Sequence, residues 1–220
     1  VPERQIVACG GFLLGSALQD YVLDLARGRR ALYVPTANME NPHNVLTFYE
    51  RLRGRAAADH LLFNPYPPDD LRGFTLSFDA IFVAGGNTAN MLAVWRVHGF
   101  DQILREAWEA GVVLAGSSAG MICWFEAGVT DSFGPQLEGM SDGLGFLRGS
   151  ACPHYDGEAL RRPRYRELVD NGFPPGYAAD DGAALHFVDS DLREVLSVRE
   201  AATAYSVEPG TETPLEARAL

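Results

Sequence analysis

The sequence predicts an α/β fold: a doubly wound, mostly parallel sheet with helices on both faces. Three observations predict it. Short runs of β-forming residues alternate with segments whose apolar residues recur at helical spacing. The run at residues 79–84, Asp-Ala-Ile-Phe-Val-Ala, is almost continuously apolar, as strands covered on both faces are. No repeat, low-complexity tract or linker interrupts the 220 residues, so one domain is expected over residues 1–220.

The elements follow in order. Gln5-Ile6-Val7-Ala8-Cys9 reads as the first strand, with Gly10-Gly11 as a tight turn after it. Residues 15–27 carry Leu18, Val22, Leu25 and Ala26 at helical spacing. Ala31-Leu32-Tyr33-Val34 is a second strand, stopped by Pro35, and residues 43–53 are a second helix. Leu61-Leu62-Phe63 is predicted as a short strand before a proline-rich loop at residues 65–68. The strand at residues 79–84 ends in Gly85-Gly86-Asn87-Thr88 and leads into a helix through Trp95; residues 103–110 form another. Val112-Val113-Leu114-Ala115 then runs into Gly116-Ser117-Ser118-Ala119-Gly120. Past residue 128 the spacing loosens and glycines accumulate. There residues 164–169 read as helix, and residues 183–188 and 194–198 as strands.

Composition removes whole classes of chemistry. All 18 basic residues are arginine, against 29 acidic ones, for a net charge of −11. Without lysine there is no Schiff-base lysine, phosphate-loop lysine or serine–lysine dyad. The negative charge disfavours nucleic acid and anionic membranes as partners. A hydrophobic content of 47% excludes general disorder. Cys9, Cys123 and Cys152 are odd in number and at no metal-ligand spacing, so they read as buried or idle thiols of a reducing compartment. No apolar run approaches the roughly 18–20 residues of a membrane span, and no signal peptide precedes the first strand, so a soluble cytoplasmic protein is expected.

The segment from Val112 to Gly120 carries the most chemistry. A buried strand runs into a sharp turn that presents Ser118 between small residues, in the form G-x-S-x-G at Gly116, Ser118 and Gly120. A nucleophile needs that setting to stand clear of the sheet edge. The plain alternative is a tight turn, and Ser117 is the competing hydroxyl, off register for the pattern. Gly86 and Ala119 are candidate oxyanion donors through their backbone N–H groups. The turn at Gly86 also reads as a helix start capped by Asn87 or Thr88. A serine needs a base. Of five histidines, His43 and His98 lie in or beside helices, His60 precedes a short strand and His186 sits in a strand. His154, in the loop-like Cys152-Pro153-His154-Tyr155, is the candidate. Asp180 and Asp181, in the turn before the strand at residue 183, are candidate orienting acids. Ordinary turn chemistry also explains two aspartates there.

These residues together resemble the peptidase E family of aspartyl dipeptidases, which is related to cyanophycinases and, in fold, to class I glutamine amidotransferases. The resemblance rests on Val83-Ala84-Gly85-Gly86-Asn87-Thr88, Gly116-Ser117-Ser118-Ala119-Gly120, Pro153-His154 and Asp181-Gly182, in that order, over residues 80–188. It implies a class I glutamine amidotransferase-like fold and a serine hydrolase with a Ser-His-Glu or Ser-His-Asp triad. The nucleophile falls on Ser118, the base on His154 and the acid on Asp181, with Asp180 as its neighbour and alternative. The residue before the serine, often tryptophan in the family, is Ser117 here. The family acts on short peptides with N-terminal aspartate. That implies Asp131 as the carboxylate for the free α-amino group, and Arg161 as the partner of the aspartyl side chain. Arg162, Arg164 and Arg166 are the rivals of Arg161, and a solvated helix face is the plain explanation of that cluster.

The expectation is therefore a serine dipeptidase acting on short peptides through Ser118, His154 and Asp181, with no metal or organic cofactor. Its alternatives are an amidotransferase-like or cyanophycinase-like hydrolase of another amide, such as a β-aspartyl peptide, and a non-catalytic binding module of the same fold. A homodimer is expected, twofold dimers being the commonest soluble oligomers.

Overall fold

The structure is a computed structural model and describes residues 2–220. Strands β1 (Gln5–Cys9), β2 (Arg30–Val34), β3 (Ala57–His60), β4 (Ala80–Val83) and β5 (Val113–Ser117) alternate with helices α1 (Ala17–Leu25), α2 (Pro42–Leu52), α3 (Leu71–Leu76), α4 (Thr88–Val97) and α5 (Phe100–Glu109). A one-turn helix α6 (Ala119–Ile122) follows β5. Then come β6 (Phe125–Thr130), β7 (Glu138–Met140), β8 (Leu147–Cys152), α7 (Arg161–Asp170), β9 (Gly176–Ala179), β10 (Ala183–Val188), β11 (Asp191–Ser197), β12 (Ala204–Glu208), β13 (Thr211–Pro214) and β14 (Ala217–Ala219).

The main sheet has eight strands in the order β14-β11-β10-β1-β5-β4-β2-β3. The five strands from β1 to β3 in that order run parallel. Period-two alternation sorts their side chains. Val7, Cys9, Tyr33, Phe82 and Ala115 face α1 and α2, where Leu18, Val22 and Phe48 complete one core. Ile6, Leu32, Ile81, Val83 and Leu114 face the other way, against Met91 and Trp95 of α4 and Leu104 and Trp108 of α5. The helices begin where local chemistry satisfies their first N–H groups. Ser16 caps α1 through Leu18 N, Asn41 caps α2 ahead of Pro42, and Asn87 caps α4 through Asn90 N at 2.9 Å.

The protein is thus α/β, with a mostly parallel main sheet flanked by helices on both faces. Two features go beyond the expected single sheet. Strand β10 joins antiparallel to β1, and a second sheet of order β13-β12-β9-β8-β6-β7 mixes parallel and antiparallel pairs. Phe125, Leu147 and Ala151 of the second sheet share the core of α4 and α5, while Val129, Cys152 and Ala178 pack with Tyr165 and Val169 of α7. One predicted strand is displaced. Leu61-Leu62-Phe63 is not in a strand; Ala57–His60 pairs with β2 instead, Arg30 opposite Ala57. Leu61 and Phe63 are buried from the loop, Phe63 lying edge-on to Phe100 at 5.3 Å. Their apolar character comes from burial; past the end of β3, Leu61 N still donates to Tyr33 O of β2 at 2.9 Å. Among the described residues no helix is long and apolar enough to cross a membrane.

Candidate active site

The carboxyl ends of β1, β4 and β5 meet at Ser118. This residue lies just past β5 with φ 57° and ψ −115°, a backbone state that L-residues rarely adopt and that concentrates at functional turns. Its N–H donates to Cys9 O at 3.2 Å, and its carbonyl accepts from Met121 N at 2.8 Å and Ile122 N at 3.0 Å. The turn closes only because its flanks are bare. A Cβ on Gly116 would stand 2.4 Å from Gly120 O, and one on Gly120 would stand 2.5 Å from Val83 O. The β4–α4 turn abuts the serine: a Cβ on Gly85 would lie 3.0 Å from Ser118 Cβ and 3.6 Å from its Oγ. Next to it, Gly86 has φ 138°, and a Cβ there would meet Ala37 O at 2.1 Å. Among the described residues, the N–H groups of Gly86 and Ala119 have no hydrogen-bond partner. Asn87 both caps α4 and donates from Nδ2 to Ser132 O at 3.0 Å.

His154 stands just past β8, and its Nδ1 is 2.6 Å from Asp181 Oδ1. Nδ1 is thus taken by the carboxylate, and Nε2 has no hydrogen-bond partner among the described residues. Asp181 lies in the turn from β9 to β10, where the chain crosses between the sheets. Its carboxylate is seated between two glycines. A Cβ on Gly11 would fall 2.0 Å from Asp181 Oδ1 and 3.3 Å from His154 Cε1; one on Gly157 would fall 2.2 Å from Asp181 Oδ2. The turn at residues 9–11 therefore links both halves of the site. Cys9 O holds the Ser118 N–H, and Gly11 bridges to Asp181. Ser118 and the His154–Asp181 pair flank this turn, but Ser118 Oγ makes no hydrogen bond to His154. The main chain of Asp181 is also held: its N–H donates to Asp156 Oδ1 at 2.9 Å, and its carbonyl accepts from Arg199 Nε at 2.9 Å. Arg199 and Asp156 form an ion pair with each other.

Asp180 faces away. It is 3% exposed; its Oδ2 accepts from Thr203 N at 3.0 Å and its Oδ1 has no partner. Burial pushes its carboxyl above the ordinary carboxylate range. Burial also holds the Cys9 and Cys123 thiols high and raises that of Cys152 to about 12, so all three stay protonated near neutral pH.

Asp131 is exposed at the end of β6. Its neighbour Ser132 accepts through Oγ from Thr88 N at 2.9 Å and Ala89 N at 3.2 Å, which ties this stretch to the β4–α4 turn. Arg161 opens α7 with its side chain 4% exposed. Its Nε donates to Glu158 Oε2 at 2.7 Å and its Nη1 to Val129 O at 2.9 Å, leaving Nη2 without a partner among the described residues. Arg162 pairs with Glu212 and lies over the Tyr155 and Tyr205 rings. Arg164 bonds Leu137 O and Glu167, and Arg166 is exposed. The other histidines serve elsewhere: His60 meets Tyr49 OH, His98 packs on Phe63, His186 lies between Tyr21 and Gln5, and His43 is on the exposed side of α2.

The roles of Gly11, Gly157, Ser132, Asp156 and Arg199 are not legible in the sequence. For Gly11 the Gly-Gly turn after a strand was the signal; Asp156 and Arg199 act on main-chain atoms and leave no motif.

Comparison with known proteins identifies the family. The model of Peptidase family S51 matches residues 12–195. An uncharacterized peptidase of Bacillus subtilis (strain 168), YgaJ, is 48% identical over 214 residues, covering 93% of this chain and 92% of its own. In fold, a peptidase from an acI-B1 Actinobacterium superposes with a TM-score of 0.71 at 18% identity, covering 98% of this chain and 95% of that one. A putative peptidase E from Listeria monocytogenes EGD-e does so with a TM-score of 0.64 at 19% identity, covering 90% and 100%. A family match across most of the chain and close similarity to a peptidase along nearly all of it give one assignment: this chain is a peptidase and belongs to Peptidase family S51.

Proposed function

We propose that the protein is a serine peptidase of short peptides, with Ser118 as nucleophile, His154 as base and Asp181 as orienting acid. The observation that carries this reading is the 2.6 Å contact of His154 Nδ1 with Asp181 beside a serine held at positive φ on a sheet edge. With substrate bound, His154 Nε2 takes the proton from Ser118 Oγ as the oxygen attacks the peptide carbonyl. The N–H groups of Gly86 and Ala119, free of other partners, hold the oxyanion. His154 then passes the proton to the leaving amine, and water, activated by the same imidazole, hydrolyses the acyl-enzyme. The Ser118–His154 hydrogen bond, not made in this structure, forms in the substrate complex.

Substrates carry an N-terminal aspartate. Asp131, exposed beside the β4–α4 turn, receives the α-ammonium group. Arg161 offers only Nη2 to the aspartyl carboxylate, a single charge-assisted hydrogen bond in place of a two-pronged one.

Hydrolysis of Asp-Leu, Glu-Leu, Ala-Leu, acetyl-Asp-Leu and β-Asp-Leu by wild type and Ser118→Ala tests the proposal. Asp-Leu should be cleaved best, and Ser118→Ala should lower kcat on the order of 10⁴–10⁶-fold. Full activity of Ser118→Ala overturns the serine mechanism. Cleavage of acetyl-Asp-Leu as readily as Asp-Leu removes the role of Asp131, and preference for β-Asp-Leu replaces the α-peptide specificity.

A further inference from the structure

We propose that the Asp156–Arg199 ion pair is a positioning pair for Asp181, holding the main chain of that residue on both sides so that its carboxylate meets His154. This rests on the Ser-His-Asp reading above. The three residues form a closed ring. Asp156 Oδ1 accepts the Asp181 N–H at 2.9 Å, and Arg199 Nε donates to the Asp181 carbonyl at 2.9 Å. Arg199 Nη2 meets the second Asp156 oxygen. Each carboxylate oxygen has one task, and the guanidinium fork spans two acceptors with one rigid plane.

The ring is itself anchored. Arg199 N donates to Ser197 Oγ at 3.3 Å, and Ser197 Oγ donates to Arg199 O at 2.7 Å. Val198 N donates to Gly182 O at 2.9 Å, and a Cβ on Gly182 would already touch Arg199 Cβ at 3.1 Å. At the other end, Asp156 lies two residues past His154, so base and ring share one loop.

A short acid needs this. An aspartate has one methylene between backbone and carboxylate, so its oxygens go where the main chain puts them. The seat between Gly11 and Gly157 admits the carboxylate in one place. Neither Asp156 nor Arg199 is tied to the carboxylate or the imidazole by a hydrogen bond, and their side chains are 35% and 45% exposed. An ion pair that exposed adds little to stability. Its loss should therefore be felt in the alignment of Asp181 and not in folding.

The test uses Arg199→Ala, Asp156→Ala, the double variant and Arg199→Lys. The exposed pair Arg72–Glu106, which joins two helices away from the site, supplies the control Arg72→Ala. Each single alanine variant should lower kcat on Asp-Leu about 10- to 100-fold, with KM within about twofold. The double variant should be no worse than the singles, since both break one ring. Melting temperatures should stay within about 4 °C of wild type. Arg199→Lys should recover part of the rate, and Arg72→Ala should match wild type. A second readout needs no turnover. In the Ser118→Ala background, the downfield Nδ1 proton of His154 should be present, and Arg199→Ala should abolish it. Single variants with wild-type kcat and an unchanged Nδ1 resonance overturn the proposal, as do losses that multiply in the double variant. If Ser118→Ala keeps full activity, the serine reading falls, and the Nδ1 resonance still decides whether the pair positions Asp181.

Discussion

The two sheets fix their parts of the site by different means. On the main sheet Ser118 is held by main chain alone: Cys9 O takes its N–H, and bare Gly116 and Gly120 let α6 close against β4 and β5. On the second sheet and its crossover, His154 and Asp181 are held by side chains as well as main chain: a carboxylate on an imidazole, and an ion pair on a peptide unit. A seat made of backbone tolerates no added atom and is all or nothing. A seat made of side chains can be loosened by degrees while the fold stands.

The largest effect should come from adding one carbon to the backbone seat. Gly120→Ala sets a Cβ 2.5 Å from Val83 O, where a strand faces it and no side chain can swing aside. The cost should be about 3 kcal/mol in urea unfolding, with activity lost alongside. A variant within 0.5 kcal/mol of wild type, by an order-of-magnitude reading of surface-type changes, would mean that the seat gives.

The same change on the other side should separate stability from rate. Gly157→Ala puts a Cβ 2.2 Å from Asp181 Oδ2, and the carboxylate yields by shifting off His154. Stability should fall by about 1 kcal/mol or less while kcat drops about 10- to 100-fold. If stability and rate fell together as for Gly120→Ala, the contrast between the sheets would be lost.

The smallest effect lies in the neighbouring aspartate. Burial raises the Asp180 carboxyl, so folding favours its protonated form. The stability this gives is full below the unfolded-state value and is lost as pH rises through the raised folded value. Asp180→Asn should therefore gain on wild type as pH rises from about 4 to 7, by about 1 kcal/mol, the scale of one unpaired buried oxygen. Chemical denaturation across that range measures it, and a difference that stays flat with pH would refute it.

The contrast also explains what the sequence made legible. In β1, β2, β4 and β5 the alternating and continuous apolar runs announce strands, and the G-x-S-x-G turn announces Ser118, because backbone seats demand particular residues. The second sheet hides. Its strands carry glycines where neighbouring backbone comes close: a Cβ on Gly128 would lie 2.9 Å from Ala151 O, and one on Gly176 would lie 2.0 Å from Ser150 O. Such strands read as loops. Turn chemistry alone does not separate Asp180 from Asp181, because adjacent turn residues point to opposite sides, one to Thr203 and one to His154; the resemblance carried by Asp181-Gly182 is what selects Asp181. Asp156 and Arg199 reach Asp181 from 25 and 18 residues away through main-chain atoms, and no spacing rule finds that.

The three buried thiols turn out to be distributed across this divide. Cys9 carries the carbonyl that seats Ser118, Cys123 closes the short helix behind it, and Cys152 lies two residues before His154. None is open to a reagent in the closed form, so alkylation proceeds only through transient openings, at the opening equilibrium multiplied by the intrinsic thiol rate. The native chain thus carries its own clocks: Cys9 and Cys123 time the breathing of the Ser118 seat, and Cys152 times that of the His154 loop.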